Sequence, residues 1–284
     1  LRLHLSDKLS VLKPKELENE IEKHSALLKL IQKGEDKYND SLGWLDVNEW
    51  AGDEVLQTIE RHAADIRSRT DVFVLIGVGG SNNAARATIK AIQPEDGPEI
   101  LYAGNTLSAH AINSLLKKLD NKKNIYINCI AKNFETLEPG ASFRILRGYL
   151  KKRYGKEEAA RRILCTGTVG SNLEDICRRE NYAFLPFPDN IGGRYTALSY
   201  VHLVPMAVAG IDIRKLVLGA RDMENHLRKL PATDNIALKY AVLRNLFYNK
   251  GYSVELLSSF EPQLNYFHKW WEQLFAESEG KTNK

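Results

Sequence analysis

Five short apolar runs punctuate the chain between residues 72 and 187: VFVLIG (72–77), EILYAG (99–104), NIYINCI (124–130), RILCTG (162–167) and AFLPF (183–187). They are continuously apolar and β-branched rather than alternating, a pattern that suits strands buried on both faces. Helical periodicity fills the gaps at 83–92, 108–119, 140–154 and 171–180. Buried strands joined by helical crossovers predict an α/β fold with a doubly wound parallel sheet. Ahead of the first strand, Val55, Ile59, Ala63 and Ile66 recur at helical spacing and predict a helix over 53–68. Residues 1–40 read as a charged helical arm, and SLGWLDVNEW (41–50) as a loop whose two tryptophans pack on the main body.

From 196 to 249 the pattern turns all-helical, with Gly210 expected to stop the first of three helices. YSVELLSSF (252–260) then reads as one more strand. It leads into a helix with Pro262 in its first turn, a favoured place for proline. Leu264, Phe267, Trp271, Leu274 and Phe275 share one face of that helix. A single strand cannot build a sheet, so the last strand and helix look like the opening of a second α/β unit. The division expected is an arm at 1–50, a first α/β domain at 51–190, and a helical segment with the start of a second domain at 191–284.

The charges barely alter this picture. Forty basic residues face 36 acidic ones, a net charge of +4. The most basic piece, KKRYGKEEAARR (151–162), mixes both signs on a helical pattern and reads as a solvated surface, so nothing favours nucleic acid as a partner. No apolar run reaches membrane-spanning length, and a cytoplasmic location is the default expectation. Cys129, Cys165 and Cys177 form no C-x-x-C pair and are expected to be buried free thiols. The seven histidines, at 4, 24, 62, 110, 202, 226 and 268, show no metal-ligand spacing, and none is assigned a catalytic role.

Four segments carry candidate chemistry. Gly77, Gly79, Gly80 and Ser81 form a strand–glycine turn–helix, which would aim bare N–H groups at a phosphate or other anion. It does not fit the dinucleotide fingerprint, because residue 82 is Asn, and a tight turn without a ligand is the alternative. In AKNFETLEP (131–139), Lys132, Asn133 and Thr136 could meet an anion, or Thr136 could simply cap the next helix. In DNIGGRYTALS (189–199) two glycines allow a close backbone approach before Arg194, whose charge could serve a ligand or an ordinary ion pair. In the last helix Gln273 and Glu277 are four apart and share a face. The helix dipole disfavours a charge on Glu277, as would suit a base that abstracts a carbon-bound proton. An exposed glutamate at a frayed end is the alternative.

Taken in order, GVGGSNNAARATIKAI, YAGNTLS, INCIAKNFETLEPGASFR, DNIGGRYTALSYVHLVPMAVAGIDI and FEPQLNYFHKWWEQLFAESEGK resemble the bacterial glucose-6-phosphate isomerase family. The resemblance implies two sugar-isomerase (SIS) domains of Rossmann-like α/β type, of which this chain would hold the first and the start of the second. It implies a homodimer with sites built from both subunits, and cofactor-free interconversion of glucose 6-phosphate and fructose 6-phosphate, without a metal. By motif, Glu277 matches the base and Arg194 the arginine that stabilises the enediolate. Ser81, Lys132, Asn133 and Thr136, with Gly80 beside them, fall on the phosphate-binding positions. Gln273 matches a substrate-contacting glutamine, and Glu138 an acidic residue near the ring-opening histidine.

The second loop departs from the family pattern S-K-S/T-x-T-T at Ala131, Asn133 and Glu135. A carboxylate at ~4–5 Å would repel each unit charge of a phosphate by ~3–4 kcal/mol at an effective dielectric of 20, unless Glu135 turns away to pair with Lys132. The family's ring-opening histidine and late lysine match nothing up to residue 284. Two classes of function follow: an isomerase of truncated or divergent form, and a non-catalytic module that binds a sugar phosphate.

Overall fold

A computed structural model describes residues 3, 4, 6, 11–13, 15–33, 41–132 and 134–280. Among the described residues the first helices are α1 (Glu16–Lys33), the short α2 (Val47–Ala51) and α3 (Asp53–Ser68). Five strands with intervening helices follow: β1 (Val72–Ile76), α4 (Asn83–Ile92), β2 (Glu99–Ala103), α5 (Ala109–Asp120), β3 (Ile125–Ala131), α6 (Leu137–Tyr154), α7 (Lys156–Ala160), β4 (Ile163–Gly167), α8 (Asn172–Glu180) and β5 (Ala183–Pro186). Helices α9 (Tyr200–Val208), α10 (Ile213–Lys229), α11 (Ile236–Asn249) and α12 (Asn265–Glu279) are the remaining helices among the described residues.

The five strands form one sheet in the order β2-β1-β3-β4-β5, and every pairing is parallel. The three central strands are buried along their whole length, as continuous apolar runs require. Alternate residues serve the two faces. Phe73, Leu75, Tyr126, Ile130 and Leu164 pack beneath α3, α4 and α9. Val72, Val74, Ile76, Ile125, Ile127 and Cys165 pack beneath α5, α6 and α8. All three cysteines are buried free thiols on this second side, and burial pushes the Cys129 and Cys165 thiols well above their ordinary range.

The sheet order places the functional end. The chain leaves β1 toward β2 on one side, then crosses back to β3 on the other, with Ile76 level with Cys129. Ligands of open α/β sheets sit at such a reversal, beyond the carboxyl ends of the strands. The turn after β1 and the loop after β3 therefore leave neighbouring strands at that reversal.

Two features lie outside the sheet. Helix α1 packs on α11 through Ile21, Val242 and Leu246, with Lys250 Nζ 2.8 Å from Glu16 Oε1. The expected strand at 252–260 is a correction: the segment carries neither strand nor helix. Val254, Leu256 and Phe260 are exposed. Its apolar pattern suits a strand, but an extended segment becomes one only by pairing its backbone with a neighbour, and no described residue supplies that neighbour.

Candidate functional site

The glycine turn is tighter than the sequence suggests. Gly79–Ser81 forms a 3-10 turn ahead of α4. Three of the N–H groups expected to be bare are engaged. Ser81 N donates to Val78 O at 3.0 Å and Asn82 N to Gly79 O at 3.0 Å. Ala85 N donates to His202 Nδ1 at 3.1 Å. Because Nδ1 accepts, the other ring nitrogen carries the hydrogen, and Nε2 donates to Gly80 O at 2.7 Å. His202, 1% exposed on α9, thus pins both ends of the turn. Burial holds its pKa down at about 4, against the opposing effect of the Gly80 hydrogen bond.

The turn meets the 189–199 loop backbone to backbone. A Cβ on Gly80 would stand against the Gly193 carbonyl and 2.7 Å from Arg194 N. Only glycine permits this approach. The loop is braced from behind by the two tryptophans of the 41–50 segment. Trp44 stacks on Tyr195 at 5.1 Å between centroids. Trp50 Nε1 donates to Asn190 Oδ1 at 2.9 Å, and Asn190 Nδ2 donates to Glu49 Oε1 at 2.8 Å. From the β3 side, Lys132 Nζ donates to Ile191 O at 2.8 Å.

Helix α12 closes the cluster. Arg194 Nη1 lies 3.6 Å from Glu277 Oε2, and Arg194 Nε donates to Ser278 Oγ at 2.8 Å. The Tyr195 hydroxyl lies 2.7 Å from the same Ser278 oxygen. Trp270 Nε1 donates to Arg194 O at 3.3 Å. Gln273 Nε2 donates to Glu277 Oε1 at 3.1 Å, and Asn83 Nδ2 donates to Gln273 Oε1 at 2.6 Å. Glu277 remains 52% exposed, yet both of its oxygens face a partner, unlike those of a glutamate at a frayed end.

The structure therefore brings Gly80, Arg194, Gln273 and Glu277 into one cluster and reaches Lys132 through Ile191. Ser81 closes the turn, with its carbonyl packed on Gly77. Thr136 occupies the N-cap position of α6 but makes no capping hydrogen bond with its side chain. Glu138 and Pro139 form the first turn of α6, and Gly104 lies against both Pro139 Cα and Gly77 N. That first turn therefore adjoins the glycine turn. Glu135 is exposed, and the Lys132 ammonium is directed at Ile191 O. Asn133 lies outside the described residues. Among the described residues no group of three His, Cys, Asp or Glu side chains is placed to hold a metal ion, and no described helix is long and apolar enough to cross a membrane.

Sequence reading passed over Ser278, Asn83 and His202. Ser278 follows Glu277 directly, and Asn83 follows a Ser-Asn pair at a helix start, where short polar side chains favour local bonding. His202 sits in an apolar helix, VHLVPMAV, where a lone imidazole needs partners.

The parallel sheet, its order reversal and the Glu–Arg cluster define a parallel α/β protein with a carboxylate and a guanidinium beside a glycine turn. Residues 54–284 match the model of the phosphoglucose isomerase family. The chain belongs to that family. It is 39% identical to the glucose-6-phosphate isomerase of Staphylococcus saprophyticus, covering 94% of this chain and 62% of that protein. It is 38% identical to that of Caldanaerobacter subterraneus, covering 98% and 64%. The chain thus spans less than two thirds of the length of these relatives. Among solved structures, a hypothetical protein of Thermus thermophilus superimposes with a TM-score of 0.83 at 27% identity, over 94% of this chain and 63% of that one. The glucose-6-phosphate isomerase of Chlamydia trachomatis shares the fold at a TM-score of 0.69 and 22% identity, over 81% of this chain and 44% of its own.

Proposed function

We propose that this site serves the interconversion of glucose 6-phosphate and fructose 6-phosphate. The observation that carries the reading is the Glu277–Arg194 pair, 3.6 Å apart beside the Gly80 turn. In the open-chain aldose, the Glu277 carboxylate takes the proton from C2. The C–H electron pair forms the C1–C2 double bond, and the carbonyl oxygen at C1 becomes the enediolate oxygen. The Arg194 guanidinium stabilises that charge, the C2 hydroxyl proton passes to the C1 oxygen, and Glu277 returns its proton to C1 as the C1–C2 double-bond pair takes it up and the C2 carbonyl forms. Ser81, Lys132, Asn133 and Thr136 would hold the phosphate beyond the carboxyl ends of β1 and β3, with Gln273 and Glu138 contacting the sugar. Family membership supports this reading, as it supports a cytoplasmic homodimer and the division at residues 50 and 190, with 191–284 opening a second SIS domain.

The second reading, a sugar-phosphate-binding module without turnover, is favoured by the loop after β3. Ala131 and Glu135 stand there in place of hydroxyl residues of the family pattern, and Lys132 is directed at Ile191 O. A coupled isomerase assay with calorimetry of 6-phosphogluconate separates the two. Turnover above background is the expected outcome. Binding without turnover would establish the module instead, and no binding at all would overturn both.

A further inference from the structure

Asn83 is the first residue of α4, and its side chain begins a chain of polar contacts that ends on Glu277. Asn83 Nδ2 donates to Gln273 Oε1 at 2.6 Å, and Gln273 Nε2 donates to Glu277 Oε1 at 3.1 Å. The direction of the chain follows from chemistry. An ionised carboxylate only accepts, so Gln273 must present its NH2 group to Glu277. Its oxygen then faces Asn83, which must donate in turn.

The space around Gln273 is shaped for this arrangement. Gly79 has a φ of +53°, and a Cβ there would stand 2.8 Å from Gln273 Nε2. The glycine turn therefore makes room for the amide, while the helix that follows the turn orients it.

We propose that Asn83 is a positioning residue for Glu277, acting through Gln273. By donating to the amide oxygen, Asn83 holds the Gln273 NH2 group on one oxygen of Glu277 and leaves the other facing Arg194. The catalytic consequence rests on the assignment of Glu277 as the base, whereas the orientation of Gln273 stands apart from it. Replacing Asn83 by Asp makes the point testable. A carboxylate at each end of a single amide asks both ends to donate, and Gln273 can satisfy only one.

The experiment uses the 15N-labelled full chain, with the Gln273 side-chain NH2 signal assigned by its loss in Gln273→Leu. That signal is expected to shift in Asn83→Ala and to move further in Asn83→Asp. In parallel, deuterium incorporation at C1 of fructose 6-phosphate in D2O reads the proton transfer alone. Asn83→Ala should lower its kcat by about tenfold, the size of one charge-assisted hydrogen bond, with KM within about twofold of the parent. Asn83→Asp should lower it further. An unmoved Gln273 signal in both variants overturns the proposal, whatever the activity. A moved signal with unchanged kcat overturns the positioning role. A parent chain that incorporates no deuterium defeats the isomerase reading, and the NH2 signal alone then decides the orientation.

Discussion

Gly80 stands where two backbone segments meet, and nothing larger fits between them. A methyl group there would collide with the Gly193 carbonyl and lie 2.7 Å from Arg194 N. These neighbours are main-chain atoms of the loop that carries Arg194, so they cannot yield by a rotamer change. Gly80→Ala should therefore destabilise the fold by about 1–3 kcal/mol, read from urea denaturation. It should also loosen Arg194 from Ser278. The same substitution at Gly148, whose added Cβ meets nothing within 4 Å, is the comparison. It lies inside α6, where alanine is preferred to glycine, and equal destabilisation at both sites would refute the argument.

At the scale of elements, His202 is the bolt between α9 and the glycine turn. Its folded-state pKa of about 4 lies below the ordinary value near 6.5. The unfolded chain therefore binds a proton first as pH falls. The stability held by neutral His202 is complete above pH ~6.5 and is lost as pH drops toward ~4, by up to about 3 kcal/mol. His62, half-buried and also shifted downward by burial, titrates in the same direction. The difference between the parent and His202→Gln isolates the contribution of the bolt. Denaturation midpoints measured from pH 7 to 4.5 should converge for the two proteins as pH falls. Parallel curves would show that the imidazole is not buried neutral. The elements themselves were largely legible in the sequence, because strand burial and helical period are local properties. All five strands of the sheet fall within a residue or two of the apolar runs. The site was half legible. The four clustered candidate residues, Gly80, Arg194, Gln273 and Glu277, lie in motifs of recognisable composition. The bonds that orient them, from Asn83 to Gln273 or from Arg194 to Ser278, join residues more than eighty positions apart. No local pattern encodes such pairings. The strand expected at 252–260 misled for the same reason: periodicity reports which face is apolar, not whether a neighbour exists.

At the scale of the whole molecule, the described residues combine a finished sheet with an unpaired apolar stretch. Val254 and Leu256 are 85% and 86% exposed, and Phe260 is fully so. The backbone there lacks a ladder, so it can enter a protease cleft without prior unfolding. Brief chymotrypsin treatment should cut at Tyr252, Leu256 or Phe260 before any site within β1–β5, as mass spectrometry of the first fragments would reveal. First cuts within the sheet would contradict the exposed conformation. The loop that carries Arg194 shows the opposite extreme, since aromatic rings hold it on several sides. Three of the four tryptophans of the chain touch it: Trp44 through Tyr195, Trp50 through Asn190 and Trp270 through the Arg194 carbonyl. The protein's intrinsic fluorescence is thereby concentrated around its guanidinium, and the chain carries an optical gauge of that loop without any added label.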